Sequence, residues 1–158
     1  MRIGVLSDSH GDLTMGKKAL LQMGQVDLVL HAGDHYADAV KLSPFTKAQI
    51  IGVRGNVEPL REGPEELLLE YEGVRIFLTH GHLYHVKFSL HKLFYKAKEA
   101  QTHVVVFGHT HHALKGEEEG ILFLNPGSVS RPRGPLGHSY AILELKDGMV
   151  TAEILEIV

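Results

Sequence analysis

Residues 3–34 read IGVLSDSHGDLTMGKKALLQMGQVDLVLHAGD, and this stretch decides the fold class. The apolar run at 3–6 stops at a polar loop, which is typical of a buried strand. Apolar side chains then recur at helical spacing through 13–23, and Gly24 follows them, so we predict a helix that ends near this glycine. The apolar run at 26–30 predicts a second strand. A strand, a helix and a strand in this order favour a parallel pair joined by a crossover helix.

The same alternation continues to residue 53, and the pattern changes after it. Residues 37–42 predict a short helix that stops before Pro44, and residues 48–53 predict a third strand. The remaining chain predicts three hairpins at 66–79, 114–124 and 140–157, an amphipathic helix at 88–100 and a buried strand at 104–107. We therefore expect one mixed α/β domain over residues 1–158, with parallel strands first and hairpins later.

The composition excludes several kinds of site. The chain has no cysteine, so disulfides, thiolate zinc sites and cysteine nucleophiles are excluded. Its 16 basic and 19 acidic residues leave a net charge of -3, which disfavours binding of a polyanion by bulk charge. No apolar run is long enough for a signal peptide or a membrane span, so we expect a cytoplasmic protein with no membrane partner. The 12 histidines are an excess, and histidine is the commonest metal ligand.

Side chains that can bind a metal follow five of the predicted strands, at the point where each strand ends. In open α/β sheets, binding sites form outside the carboxyl ends of the strands. The side chains concerned are those of Asp8, His10, Asp34, Asn56, His80, His109 and His111. Oxygen and nitrogen donors without sulfur suit Mn2+, Fe2+, Zn2+ or Ni2+. Seven donors exceed the coordination of one ion, and they suit two ions if a carboxylate bridges them.

These residues lie within short motifs that follow one another along the chain. The motifs are Asp8-Ser9-His10, Gly33-Asp34, Gly55-Asn56-Val57-Glu58, His80-Gly81-His82, Gly108-His109-Thr110-His111 and Asn125-Pro126-Gly127-Ser128. In this order they resemble the calcineurin-like metallophosphoesterases, and among these the short phosphodiesterases of bacteria and archaea. The resemblance implies a four-layer α/β/β/α sandwich, in which helices flank two mixed β-sheets.

The resemblance also implies a dinuclear metal site and a set of ligands for it. One ion would be held by Asp8, His10, Asp34 and His111, and the other by Asp34, Asn56, His80 and His109, with Asp34 as the bridge. The resemblance favours Mn2+, and the donor set leaves Ni2+, Fe2+ and Zn2+ open. A hydroxide that bridges the two ions would attack phosphorus in line, so no covalent enzyme intermediate is needed. We assign catalytic roles to Asp34, Asn56 and His82.

One position departs from the family pattern. Many relatives have a histidine directly after the Gly-Asn pair, where it is thought to help protonate the leaving group. Val57 occupies this position and cannot donate a proton, which predicts slow cleavage of poor leaving groups. His82, His35 or a metal-bound water could take its place, and the sequence does not choose among them. Of the other histidines, His31 could support the ligands from behind, and we expect His112 to face away from them.

We expect a metal-dependent phosphodiesterase that acts on a small phosphoester, and two other functions stay open. One is a phosphomonoesterase, and the other is a non-catalytic scaffold such as the retromer subunit, which has this architecture with degraded ligands. All seven ligand positions are intact here, which favours the enzyme. A nucleic-acid substrate and a homo-oligomer also stay open, although no basic patch is visible. Arg131 and Arg133 could bind a substrate phosphate or could form a solvated loop.

Overall fold

Two mixed sheets of five strands each lie face to face in the computed structural model, which describes residues 1–158. The first sheet contains β1 (Arg2–Leu6), β2 (Leu28–His31), β3 (Gln49–Gly52), β9 (Ser139–Lys146) and β10 (Met149–Glu156), in the order β10-β9-β1-β2-β3. The second contains β4 (Glu66–Tyr71), β5 (Val74–Thr79), β6 (Val104–Val106), β7 (Ala113–Glu118) and β8 (Ile121–Pro126), in the order β4-β5-β6-β8-β7. Three helices, α1 (Leu13–Met23), α2 (Tyr36–Leu42) and α3 (His91–Glu99), lie outside the sheets.

Alternation along the strands produces the four layers. On β1, Ile3 and Val5 point between the two sheets, where they join a fully buried cluster that includes Ile76 of β5. Leu6 points to the other face and packs with Met23 of α1. A third buried cluster joins α3 to the outer face of the second sheet. The predicted α/β/β/α sandwich of two mixed sheets is therefore confirmed.

The register of the parallel strands brings the ends of both sheets to one edge of the molecule. In the first sheet, Leu6 pairs with His31, and His31 pairs with Gly52. In the second sheet, β5, β6 and β8 are also parallel, and Leu78 lies level with Val106. The loops that follow these strands carry the predicted site residues. The register places the loops of each sheet side by side, and the packing of the two sheets brings both sets of loops together.

The three predicted hairpins are present as the antiparallel pairs β4–β5, β7–β8 and β9–β10. Both residues of each two-residue turn have positive φ, as in Glu72 and Gly73, which is the turn geometry that matches the twist of the strands. Helix α3 covers His91–Glu99 and not 88–100 as predicted, and a short 3-10 turn and the left-handed His85 come before it. None of the helices is both long and apolar enough to cross a bilayer.

Candidate metal centre

Four of the predicted ligands converge where the two sheets meet. They are Asp8, His10, Asp34 and His111, and one donor atom of each lies within 4.8 Å of those of the others. Asp8 and Asp34 are almost fully buried, although carboxylates are seldom buried without a partner. Nitrogen and oxygen donors gathered this closely form a site that can hold a divalent cation.

The backbone at Asp8 is held in an unusual conformation that aims its carboxylate into the site. Asp8 has a φ of 55°, in the left-handed region that costs a non-glycine residue about 1–3 kcal/mol. Its N–H donates to the carbonyl of Gly33 at 2.7 Å. Its carbonyl accepts from the hydroxyls of Ser128 and Ser130, both at 2.8 Å. The loop after β8 therefore fixes the loop after β1 across the interface between the two sheets.

The hydrogen bonds of His80 show which of its ring nitrogens is free. Nδ1 lies 2.8 Å from the carbonyl oxygen of Ala32, so Nδ1 carries the proton and donates. In the neutral ring the lone pair is therefore on Nε2. This nitrogen is buried and has no hydrogen-bond partner. It faces Asp34 Oδ1 at 3.3 Å and Asp8 Oδ1 at 3.8 Å. Either a proton on Nε2 or a metal cation would compensate the two carboxylate oxygens that this nitrogen faces.

His111 has the same arrangement on the other side of Asp8. Its Nδ1 donates to the carbonyl of Arg131 at 2.6 Å, which leaves the lone pair of Nε2 facing inward. Nε2 lies 3.2 Å from Asp8 Oδ1, a buried oxygen with no hydrogen-bond partner, and 3.3 Å from His10 Nε2. Metal-binding histidines commonly donate their second ring N–H to a carbonyl in this way, which fixes ring and tautomer. The residues present thus fit a divalent cation.

The electrostatics of the centre favour positive charge. Burial raises the pKa of Asp34, but His80 and the N–H of Val57 outweigh this effect and lower the pKa to about 2. Burial raises the pKa of Asp8 as well, and the imidazoles of His111 and His80 more than offset it, so this pKa is also lowered. Both carboxylates are therefore anionic at neutral pH.

The histidines respond to burial and to these anions in different ways. Burial is the main cause that lowers the pKa of His10, and it lowers the pKa of His109 to about 4 with help from His80 and Lys87. These two imidazoles stay neutral at neutral pH, which is the form that binds a metal. Burial also lowers the pKa of His80, but Asp34 and Asp8 outweigh it and leave the pKa raised.

The other predicted ligands lie around Asp34. The ring centroid of His109 is 5.0 Å from that of His80, and the backbone N–H of His109 donates to Asp8 Oδ2 at 3.1 Å. Asn56 is exposed at the rim, on a turn so close that a Cβ at Gly55 would lie 2.0 Å from Asp34 Oδ1. Only glycine permits this approach. The structure thus brings His80 close to Asp34, places His109 beside His80 and Asp8, and leaves Asn56 at the edge.

Three residues with open roles lie beside these groups. The ring of His82 is 5.4 Å from that of His80, and its Nδ1 is buried and unpartnered. His35 lies 5.5 Å from His10, measured between ring centroids. The side chain of Val57 is 44% exposed, whereas its N–H donates to Asp34 Oδ1 at 3.0 Å. The backbone of Val57 therefore supports Asp34, and its side chain faces the opening.

A buried network behind the centre was only partly predicted. His31 Nε2 lies 2.8 Å from Ser9 Oγ, and Ser9 Oγ donates to Asp38 Oδ2 at 2.7 Å. Asp38 also accepts from the N–H of Gly11 at 2.8 Å. This chain holds the loop between Asp8 and His10, which agrees with a supporting role for His31. Ser9 and Asp38 were missed as parts of it.

Two further supports carried little signal in the sequence. The carboxylate of Glu58 accepts from the N–H of Gly55 and from that of Tyr36, both at 2.7 Å, and so ties the loop after β3 to the start of α2. Asn125 donates to the carbonyl of Gly108 and to Thr110 Oγ1, both at 3.0 Å. Glu58 and Asn125 lie within the recognised motifs, so their presence there was the available clue.

Comparison with known proteins agrees with this geometry. A family model described as "Calcineurin-like phosphoesterase superfamily domain" matches residues 1–148. The chain is 34% identical over 159 aligned residues to "Probable metallophosphoesterase YsnB" of Bacillus subtilis, and the alignment covers 99% of this chain and 91% of that protein. It is 31% identical to "Phosphodiesterase YfcE" of Escherichia coli K12, with 91% and 88% covered.

A solved structure of another protein has a similar fold. A crystal structure of a conserved protein from Streptococcus pneumoniae, described as a predicted phosphoesterase, superposes with a TM-score of 0.84 at 36% identity. The superposition covers 99% of this chain and 92% of the other. The similarity extends over both sheets and therefore includes all the loops that form the metal centre.

Proposed function

The chain belongs to the calcineurin-like phosphoesterase superfamily, and from this premise we propose that it is a metal-dependent phosphodiesterase with a dinuclear centre. The single observation that carries the proposal is the convergence of acceptor atoms around Asp8 Oδ1. This buried oxygen has no hydrogen-bond partner and faces the inward Nε2 of His111 at 3.2 Å. A cation among these atoms would compensate the buried charge of Asp8.

We assign the two ions to overlapping sets of residues. Asp8, His10, Asp34 and His111 would hold the first ion, for which the donor atoms already lie together. His80 and His109, with Asn56 from the rim, would hold the second ion on the other side of Asp34. Two such ions would acidify a water and stabilise charge on the attacking and leaving oxygens. Mn2+ is the proposed metal, with Ni2+, Fe2+ and Zn2+ as the ions to compare.

Three residues of the chain would position the ions and the substrate phosphate. Asp34 bridges the two half-sites, because Oδ1 faces His80 at 3.3 Å and Oδ2 faces His10 at 3.4 Å. Asn56 would steer the incoming phosphate from the rim of the opening. His82 presents an unpartnered ring nitrogen beside His80 and is the proposed phosphate contact or proton donor.

The substrate class follows from charge. Two divalent ions against two carboxylates leave a positive site, so a phosphoester is attracted although the chain as a whole carries a charge of -3. The proposed substrate is a small phosphoester, since relatives named phosphodiesterases align with 91% and 80% of this chain. A single domain over residues 1–158, a cytoplasmic location and a homo-oligomer stay predictions.

The decisive experiment is a metal-by-substrate screen on protein stripped of metal with a chelator. Mn2+, Ni2+, Zn2+ and Mg2+ are each added back, and hydrolysis of bis(p-nitrophenyl) phosphate is compared with that of p-nitrophenyl phosphate. Metal-dependent cleavage that favours the diester supports the proposal, and preference for the monoester makes the chain a phosphomonoesterase. Tight metal binding without hydrolysis of either ester would overturn the enzyme assignment in favour of a scaffold.

A further inference from the structure

A cavity of about 410 Å³ adjoins the metal centre on the side of the His109–His111 loop. Thr110, which lies between these two histidines, forms part of its wall. Arg133 also lines the cavity, and its backbone N–H donates to the carbonyl of His111 at 3.0 Å. The cavity and the centre therefore share one loop, and a ligand that reaches the ions can extend into the cavity.

The lining of this cavity combines an apolar floor with two cations. Val86, Leu90, Phe107 and Leu114 supply the apolar surface. Lys87 and Arg133 also line the cavity, both side chains are exposed, and neither forms an ion pair. No carboxylate is among the lining residues. The surface thus fits a ligand that is flat and apolar in its body and negative at one end.

Lys87 lies on the side of the cavity that adjoins the metal centre's loop, because it lines the same cavity as Thr110. An anion held by its ammonium group would therefore lie on the same side of the centre as the loop that carries His109 and His111.

We propose that this cavity binds one arm of the phosphoester substrate, and that the preferred arm is an aromatic group with a further negative charge. The inference rests on the proposed phosphodiesterase function and adds the chemical class of one substituent of the diester. Cavities of about 300–1,000 Å³ are typical of small-molecule sites, so one ring and its anionic substituent can be accommodated. Lys87 and Arg133 would hold the anion, and Leu90 and Phe107 would contact the ring.

A second cavity on the other side of the centre differs in its chemistry. It measures about 370 Å³ and is lined only by polar residues and glycine, among them Asn56 and His82. Its Arg54 is already paired with Glu65 at 2.7 Å, and Arg61 and Glu58 add one charge of each sign, so the lining has no net charge. A negatively charged aromatic arm meets balanced charges there, and in the first cavity it meets two cations with no carboxylate beside them. The asymmetry predicts in which direction the two arms of a diester point.

The test uses three diesters that share p-nitrophenol as the leaving group and differ in the other arm. The arm is methyl, phenyl or 4-carboxyphenyl, so the bond that breaks is the same in all three. We expect kcat/KM to rise from methyl to phenyl, and to rise by about 5-fold more for carboxyphenyl, as one favourable charge pair allows. Equal values for phenyl and carboxyphenyl would overturn the charge recognition.

Variants locate the effect within the cavity. In Lys87→Gln and in Arg133→Gln, the ratio of kcat/KM for carboxyphenyl over phenyl should fall toward one. Lys92→Gln removes the same charge from an exposed position on α3 outside the cavity, so its ratio should match the wild type. A ratio that falls equally in all three variants would assign the preference to overall charge and overturn the proposed site.

A binding measurement separates this inference from the proposed function. Benzoate is titrated into metal-free protein and followed by amide chemical shifts, with uncharged benzyl alcohol as the comparison. Benzoate-specific shifts at residues 86–90, 110–114 and 133 that weaken in Lys87→Gln support the cavity's ligand class, even if no diester is hydrolysed. Hydrolysis of all three diesters without any such shifts would keep the enzyme and overturn the cavity as the binding site of the arm.

Discussion

His111 Nε2 lies 3.2 Å from Asp8 Oδ1, while Nδ1–H of the same ring donates a hydrogen bond to the carbonyl of Arg131. Both facing atoms are therefore acceptors, and a cation between them replaces repulsion by attraction. Because such an ion binds the folded chain only, it should raise the melting temperature of metal-stripped protein. At a free concentration of one hundred times the dissociation constant, we expect a rise of about 5–10 °C.

Differential scanning fluorimetry with increasing Mn2+ or Zn2+ measures this shift. His111→Gln removes the inward lone pair and should lose most of the response. His91→Gln changes an exposed histidine at the start of α3 and should respond like the wild type. An undiminished shift in His111→Gln would mean that the ion binds elsewhere.

Asp34 should be essential for hydrolysis and dispensable for the fold. In Asp34→Asn the side-chain oxygen can still accept from the N–H of Val57, so the turn keeps its support. The negative charge that is proposed to bridge the two ions is lost, and we expect turnover to fall by more than about 100-fold, beyond the usual effect of changing a residue behind a metal ligand. Turnover, bound metal per chain and circular dichroism are measured together, with the exposed Asp147→Asn as the control. Normal metal content with normal turnover in Asp34→Asn would contradict the bridge.

The hairpins and α1 could be predicted because their signals are local. Helix α1 covers Leu13–Met23 as predicted, since its apolar spacing and Gly24 lie within one short stretch. The hairpin of β9 and β10 covers residues 139–156 where 140–157 was predicted, because the two strands pair in register over eight residues and the partner strand sets where pairing starts. Pairing with a partner strand can lengthen a strand by one residue although the sequence pattern of that strand does not change.

The proposed metal ligands could be predicted because they follow the ends of strands. The residues that hold these ligands in place could not be predicted. Asp38 reaches Ser9 across 29 residues, and Glu58 reaches the N–H of Tyr36 across 22. A single acidic residue carries no periodic signal, and its partner is decided only when the loops meet. The sequence also contains no sign that Asn56 lies at the rim while His80 is buried.

His31 should make the stability of the metal-free protein depend on pH. Burial lowers its pKa to about 4, although the charges of Asp38 and Asp8 act in the opposite direction. As pH falls from 6.5 toward 4, the unfolded chain takes up a proton at this residue and the folded chain does not. The free energy of unfolding should therefore decrease over this interval, by about 3 kcal/mol from His31 alone.

Urea unfolding of metal-free protein at several pH values measures this decrease. His31→Gln cannot titrate, so its stability should decline less steeply between pH 6.5 and 4 than that of the wild type. The comparison concerns the slope with pH, because the substitution also changes the contact with Ser9. Parallel curves for the two proteins would mean that His31 does not account for the dependence.

Gly108 should tolerate no side chain, because a Cβ there would lie 2.0 Å from Ser7 Oγ and 2.6 Å from Asp8 Oδ2. Gly108→Ala must displace both groups, which hydrogen-bond to each other at 2.6 Å. We expect a loss of about 1–3 kcal/mol in the free energy of unfolding and weaker metal binding. Gly116→Ala is the matched control, since a Cβ there meets nothing within 4 Å. Unchanged metal affinity in Gly108→Ala would show that Asp8 need not be held this tightly.

Val57 makes the rate depend on the leaving group. Its side chain is 44% exposed at the opening and has no proton to give, so cleavage should slow steeply as the pKa of the leaving alcohol rises. Aryl diesters should react far faster than alkyl diesters, because a general acid typically contributes about 10²–10⁴-fold. The measurement is a series of diesters with graded leaving groups at saturating metal. A wild-type rate that ignores the leaving group would assign proton donation to another group, such as His82.

Val57→His should flatten this dependence. The N–H of Val57 donates to Asp34 Oδ1 and its carbonyl accepts from the N–H of His35, and both contacts use the backbone only. A new imidazole can therefore be added at the opening without removing the hydrogen bond that supports Asp34. An error of about 1 Å in its position would reduce the benefit, so a modest gain on alkyl over aryl esters is the expected result. Val57→Gln adds a side chain of similar reach that cannot act as an acid near neutral pH, and it should keep the wild-type slope. Equal slopes for the histidine variant and the wild type would show that proton donation at this position does not limit the reaction.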